Sequence, residues 1–389
     1  MRRVARVLIW LLVFCLGLAA SVVVCFTAKM FFAGWGRAAT AGDIRVDGVP
    51  NGHPTLAFAC ELPTDRLQAL FANPSLIDEL RQLHASLSLS LIDLGSGRAA
   101  VVRQLNDAGV PVTAWLALSR EQGYYLNADN SAAAAARFEA FQDWTSKNGL
   151  RWAGVGLDIE PGLQEFTSAR QGHWLSVVTT LVRRYLDAGR VSRARSAYLA
   201  LIRRIQGAGY PVDTYQFPFI ADERKAGSTL LERLFGIVDV RGDREVLMTY
   251  SSFNPAVDSA LVWEYGRDSQ LVAVGSTAGD AAGGGFRPLK WDEFARDVIV
   301  AGHLSPVVGV YSLEGCSDHQ FMPRLAGMDW RQSVTIPANA LSTVVRLRMR
   351  IQAALWTGSR LPYLAAVVLV LEGWVIRRRA MAEGRRTAG

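Results

Sequence analysis

The sequence predicts an α/β fold: a closed (β/α)8 TIM barrel of parallel strands, flanked by membrane helices. Three observations predict it. Eight short, β-rich apolar runs alternate with segments of helical period, the signature of repeated βα units. The stretch Gly154-Val155-Gly156-Leu157-Asp158-Ile159-Glu160-Pro161 puts Val155, Leu157 and Ile159 on one strand face. It puts Gly154, Gly156, Asp158 and Glu160 on the other, as the inner face of a barrel strand requires. The middle of the chain, about 300 residues, is the size of one such barrel.

In chain order, Arg2, Arg3 and Arg6 precede an uncharged run over 7–28, long enough to cross a bilayer. A cleaved signal peptide is the rival, because Ala39-Thr40-Ala41 resembles a small-residue cleavage site. The run is longer than most signal h-regions, so a retained transmembrane anchor over 1–36 is expected. The strands follow at 56–61, 87–94, 112–118, 154–160, 212–217, 246–250, 270–275 and 307–312, with helices at 98–108, 131–147, 173–188, 254–265 and 291–301. These elements make 41–340 the barrel domain. Near the end, 361–376 is apolar except for Glu372, and Arg377, Arg378 and Arg379 follow. Residues 341–389 therefore read as an amphipathic segment, a second transmembrane helix and a basic cytoplasmic tail, or else as a helix lying on the membrane surface.

The net charge of +7 is unevenly distributed. Residues 1–40 carry +5 and residues 341–389 carry +7, which leaves −5 for the barrel domain. Basicity confined to the tails points to membrane lipids as partners rather than nucleic acid. Both arginine clusters are then cytoplasmic and the main domain is extracytoplasmic, periplasmic or at the cell surface.

A barrel gathers the C-terminal ends of its strands around one mouth. Those ends supply Glu61, Asp93, Trp115, Asp158 with Glu160, Tyr250, Ser276 and Glu314. Carboxylates that bond hydroxyls and aromatic faces that cover sugar rings suit a glycan, so Glu61, Asp93, Trp115, Ser276 and Glu314 are the expected substrate-binding residues. Cys60 and Cys316 fall near the mouth ends of the first and last strands, which are neighbours in a closed barrel. A disulfide across that seam and two independent buried thiols are both open.

Asp158 and Glu160, two residues apart on one face, disfavour double ionisation. Glu160, nearer the tip, is then the candidate general acid. Asp158 is its charged partner. The bland reading makes Asp158 a helix cap and Glu160 a solvated loop residue.

Leu157-Asp158-Ile159-Glu160 resembles the latter half of the Asp-x-x-Asp-x-Asp-x-Glu motif of glycoside hydrolase family 18, the chitinase-like barrels. Met248-Thr249-Tyr250 resembles that family's Met-x-Tyr motif on the sixth strand. The resemblance implies Glu160 as the acid, Asp158 as the residue that orients an acetamido group, and Tyr250 as one that helps hold it. The first two acids of the motif are Ala153 and Gly156 here, and the eighth strand offers Tyr311-Ser312-Leu313-Glu314 in place of a tryptophan. A two-carboxylate route would draw its second acid from Glu61, Asp93 or Glu314, with Glu314 the first choice.

The five histidines form no His-x-x-His or His-Glu-x-x-His pair, so neither a metal nor a cofactor is expected. A Gly-x-Ser-x-Gly elbow is also missing. The expectation is a membrane-anchored glycoside hydrolase-like protein acting on a cell-envelope or exported polysaccharide, N-acetylated ones included. The alternative is a catalytically inactive barrel that binds glycan or scaffolds the cell envelope.

Overall fold

A computed structural model describes residues 42–50, 52–161, 174–257, 259–278 and 287–386. The N-terminal anchor expected over 1–36 and the glycine-rich stretch 279–285 lie outside them. The first half of the chain runs β1 (Ile44–Val46), β2 (Thr55–Cys60), α1 (Thr64–Phe71), α2 (Pro74–Gln82), β3 (Ser86–Leu91), α3 (Ser96–Asp107), β4 (Val112–Leu116), α4 (Ser131–Asn148) and β5 (Gly154–Asp158). Next come α5 (Trp174–Leu186), α6 (Ala188–Gly207), β6 (Val212–Gln216), α7 (Phe219–Ala226), α8 (Leu230–Phe235), β7 (Arg244–Met248), α9 (Ala260–Gly266) and β8 (Leu271–Gly275). The chain finishes with α10 (Trp291–Leu304), β9 (Val307–Tyr311), α11 (Leu313–Asp318), α12 (Phe321–Ala326), β10 (Val334–Ile336) and α13 (Ala338–Arg386).

Strands β2 to β9 form a closed parallel barrel, sealed where β2 pairs with β9. Each overlaps one of the eight expected runs. Outside the barrel, β1 and β10 make an antiparallel ribbon with Ile44 opposite Ile336. Residues 173–188 expected as one helix divide into α5 and the start of α6, because Asp187 caps α6 by accepting from the Arg190 N–H at 3.0 Å. The 254–265 pattern becomes a 3-10 turn at Pro255–Val257 followed by α9.

Strand parity builds two environments. Outward residues such as Leu56, Phe58, Leu87, Leu89, Leu91, Val155, Leu157, Val272 and Val308 pack in the main apolar core. The sequence Ser86-Leu87-Ser88-Leu89-Ser90-Leu91 shows the rule directly, with leucines out and serines in. Barrel interiors of this kind are commonly filled by bulky branched residues. Here the inward set is mostly small, including Ala57, Ser88, Gly156, Ala273 and Gly309, and rings fill the space. A Cβ on Gly156 would stand 2.7 Å from Cε2 of Tyr215, so that ring occupies the room a side chain would need. Tyr215 in turn bonds the Ser88 hydroxyl at 2.7 Å and leans on Trp115 with centroids 6.1 Å apart.

Asp93 is committed to contacts within the turn after β3. It accepts from the Thr64 hydroxyl at 2.6 Å and the Gly95 N–H at 2.9 Å, which turns the chain after Leu91 and ends β3 short of the expected 94. It also pairs with Arg98 at 3.2 Å. Arg98 is fully buried and donates to the carbonyls of Ser90 at 2.7 Å and Leu62 at 2.9 Å. An aspartate at a strand tip can be a ligand or a turn-former, and the arginine five residues on decides for the turn.

The fold divides into two compact units, one of residues 41–221 and 231–344, the other including 222–230 and 345–389. Within the second, Arg348 pairs with buried Asp222 at 2.9 Å, and Gln352 donates to the same carboxylate at 2.8 Å. Helix α13 is continuous from Ala338 to Arg386. Among the described residues no helix is long and apolar enough to cross a membrane. The second span expected at 361–376 is therefore not supported. Glu372 interrupts it, and Arg360 and Arg377 bound it at about 16 residues, short of the roughly 20 a span requires.

Two stability outcomes follow from these contacts. Gly156→Ala is expected to cost about 1–3 kcal/mol by overpacking, with part of the loss recovered on adding Tyr215→Ala, read from urea midpoints. Arg98→Met leaves two buried carbonyls and one side of an ion pair unmet, and a loss of about 3 kcal/mol or more is expected. A change under 1 kcal/mol would show that Arg98 is dispensable.

Candidate active site

Inward parity delivers Glu61 from just past β2, Asp158 and Glu160 from β5, Tyr250 from just past β7 and Tyr311 from β9 to one end of the barrel. The loop after β4 secures the acid-bearing strand. The Leu126 N–H donates to the Asp158 carbonyl and the Glu160 N–H to the Leu126 carbonyl, each at 3.0 Å. That bridge carries extended geometry through Ile159, so both carboxyls stay on the inner face.

Asp158 is 3% exposed, and its Oδ1 has no hydrogen-bond partner. Asp158 and Glu160 lie close enough to act on one another's protonation, so the pair favours keeping a proton. Burial pushes Glu160 up to about 8, with the charge of Glu61 adding and the bond to Asp158 opposing. Asp158 is pushed well above the usual carboxylate range, first by burial and then by the charges of Glu160 and Glu61.

Glu61 is treated differently. Burial raises it, while hydroxyls of Tyr124, Tyr311 and Tyr125 and the charge of Arg120 hold it back. The Tyr311 hydroxyl donates to Glu61 Oε2 at 2.7 Å. Tyr124 sits at φ 65°, a left-handed conformation uncommon for a tyrosine, in the loop that brings its hydroxyl to Glu61. Burial and the surrounding carboxylates push the Tyr250 hydroxyl far up, so it remains a proton donor. Tyr250 stacks on Tyr311 with centroids 5.5 Å apart and planes at 21°. Gly275 lies between them on β8. A Cβ there would stand 3.3 Å from Tyr250 Cδ1 and 2.4 Å from the Tyr311 carbonyl, so a bare position lets the rings meet.

Of the residues expected from sequence, Asp158, Glu160, Tyr250 and Glu61 converge, and Trp115 lies beneath them against Tyr215. Ser276 is buried and holds the wall through its backbone, its N–H donating to the Ser252 hydroxyl at 2.8 Å. Glu314 sits in the first turn of α11, where its Oε1 accepts from the Glu61 N–H at 3.4 Å and its carboxyl meets the Cys60 thiol. Cys60 faces outward, so Glu314 stands behind the strand that presents Glu61.

Cys60 and Cys316 are both free, buried thiols, the second of the two readings left open by the sequence. Cys60 is turned to Glu314, and Cys316 donates to the Thr277 hydroxyl at 3.7 Å. Among the described residues no group of three or more His, Cys, Asp or Glu side chains is arranged to hold a metal ion.

Sequence reasoning missed Tyr124, Tyr125, Tyr215 and Tyr311 as site residues. Tyr215 and Tyr311 carry the same inward parity as Tyr250, and that signal could have found them. The Tyr124-Tyr125 pair lies in a loop, where no periodicity speaks.

The arrangement offers a carboxylic acid that keeps its proton near neutral pH, a second carboxyl fixed by hydroxyls, and tyrosine donors around both. No family model matches the chain, and no curated protein matches it in sequence. Among solved structures, the chain is similar to the glycoside hydrolase domain of PgaB (BpsB) from Bordetella bronchiseptica, at 12% identity and TM-score 0.45 over 70% of this chain and 98% of that one. It is also similar to a putative alpha-L-fucosidase from Bacteroides thetaiotaomicron, at 9% identity and TM-score 0.41 over 72% and 95%. A D-allulose 3-epimerase from Methylomonas sp. is similar at 11% identity and TM-score 0.38 over 77% and 99%. These likenesses are too remote to carry chemistry, and the closed barrel of eight parallel strands rests on the chain's own strand pairing.

Proposed function

We propose that this barrel is a glycoside hydrolase acting on a cell-envelope or exported polysaccharide. The observation that carries the reading is the juxtaposition of the Asp158–Glu160 pair, with Glu160 raised to about 8, and a separate hydroxyl-held carboxyl, Glu61. Two carboxyls whose surroundings push them apart are what acid and base roles need. Glu160 gives its proton to the glycosidic oxygen as the bond to the anomeric carbon breaks. Glu61, and the Asp158–Glu160 pair once its proton has left, stabilise the positive charge that develops there. Water then adds to the anomeric carbon and loses its proton to a carboxylate, and Glu160 is reprotonated. The resemblance of the Asp158-Ile159-Glu160 and Met248-Thr249-Tyr250 segments to the chitinase-like motifs gives Asp158 and Tyr250 the roles of holding an acetamido group. On that ground an N-acetylated sugar is the substrate class we favour.

The same reading keeps the chain on the membrane through 7–28 and puts the barrel outside the cytoplasm, the side on which such polysaccharides are met. A silent glycan-binding barrel is the competing outcome of the experiments below.

Full-length protein in detergent, offered a panel of envelope and exported polysaccharides, is expected to release reducing ends. Glu160→Gln is expected to lower kcat by roughly 100- to 10,000-fold. Binding without release on any member of the panel would leave the silent barrel standing. Activity is expected to fall above about pH 8, where Glu160 loses its proton. Tyr311→Phe removes a donor from Glu61, raising its proton affinity, and should move the acidic limb to higher pH; an unmoved limb excludes Glu61 as the base.

Stability carries the same signature. The Glu160 carboxyl binds its proton more tightly folded than unfolded, so its favourable contribution is complete below its ordinary value of 4.5 and is lost as pH rises to about 8. Denaturation midpoints should therefore decline across that window, and less steeply in Glu160→Gln.

A further inference from the structure

Resting on the hydrolase reading, we infer that Phe253 is a sugar-stacking platform, a binding position beyond the acid cluster that takes the apolar face of a neighbouring pyranose ring in a longer glycan. Phe253 ends the 3-10 turn Ser251–Phe253, just past the C-terminal end of β7, and so belongs to the mouth face of the barrel. It is 43% exposed. Its ring meets Tyr250 edge-on, with centroids 5.6 Å apart and planes at 76°. Through Tyr250, Tyr311 and the 2.7 Å bond to Glu61, the aromatic run leads directly to the carboxyls.

The turn is fixed rather than loose. The buried Ser251 hydroxyl donates to Asp297 on α10, and the buried Ser252 hydroxyl accepts from the Ser276 N–H at 2.8 Å. The Phe253 N–H closes the turn on the Tyr250 carbonyl at 3.3 Å. Two neighbouring serines thus fix the turn that carries this partly exposed phenylalanine. A rigid aromatic side chain beside a polar cleft loses little entropy on binding and covers the C–H face of a sugar while the tyrosine hydroxyls and carboxyls bond its polar edge.

The test uses full-length Glu160→Gln protein, which binds without turnover, titrated calorimetrically with β-1,4-linked N-acetylglucosamine dimer and hexamer. The hexamer is expected to bind more tightly than the dimer. Adding Phe253→Ala should weaken hexamer binding about tenfold and shrink the hexamer-to-dimer ratio, while Phe253→Trp restores both. Equal hexamer affinity in Phe253→Ala, with folding verified by the thermal midpoint, overturns the platform. So does failure of Phe253→Trp to rescue a loss, and so does hexamer binding no tighter than dimer binding, or absent, with Phe253 intact. Reducing-end release by the protein carrying Glu160, measured separately, tells whether the hydrolase reading falls with it.

Discussion

Three carboxyls share one desolvated mouth, and the rest of the site is arranged around that constraint. Glu61 comes from the edge of β2, and Asp158 and Glu160 from the tip of β5; burial raises all three, and the charge of Glu61 raises Asp158 and Glu160 further. Full ionisation would place three negative charges where water cannot screen them. The fold avoids this by treating them unequally. Tyr124, Tyr125 and Tyr311 turn hydroxyls on Glu61, whereas Asp158 and Glu160 have each other. The hydroxyls thereby moderate the rise that burial imposes on Glu61, while the Asp158–Glu160 pair keeps a proton.

Space for that arrangement comes from what the inner strands lack. Gly156 and Gly275 are bare where side chains would collide with Tyr215 and with the Tyr250–Tyr311 stack. A side chain at position 156 and the ring of Tyr215 would occupy the same volume, so the glycine and the ring go together. In place of an ionised neighbour, Asp158 meets a phenol bonded to Ser88 beneath it. Asp158 therefore has few polar partners, and its Oδ1 is left unmet.

The barrel was legible because its information is periodic. Alternation in Ser86–Leu91 and Gly154–Asp158 states which face is buried and which is inner, and eight such runs leave few other closures. Strand ends were less legible, since β3 stops where Asp93 bonds the Gly95 N–H rather than where apolar residues run out. The acid pair and Tyr250 were readable from parity and motif. Tyr124 was not, because its place depends on a positive φ in a loop and on a carboxyl contributed by a strand two positions away. Asp93 and Glu314 were read as ligands from their position at strand tips, but tip position alone does not distinguish a side chain aimed at the mouth from one that shapes the turn beneath it.

Parity also decides which carboxyl completes the pair. On β2, Leu56, Phe58 and Cys60 face the helices, so Ala57, Ala59 and Glu61 face in. A carboxyl that touches the Cys60 thiol must stand on the helix side of that strand, and Glu314 does. It has a buried oxygen without a partner, as Asp158 has, and its charge also raises Tyr311. Its bond to the Glu61 N–H fixes the backbone from which Glu61 projects. Glu314, the first choice made from sequence, thus holds the backbone of Glu61, and Glu61 turns its carboxyl to the Tyr311 hydroxyl on the inner side.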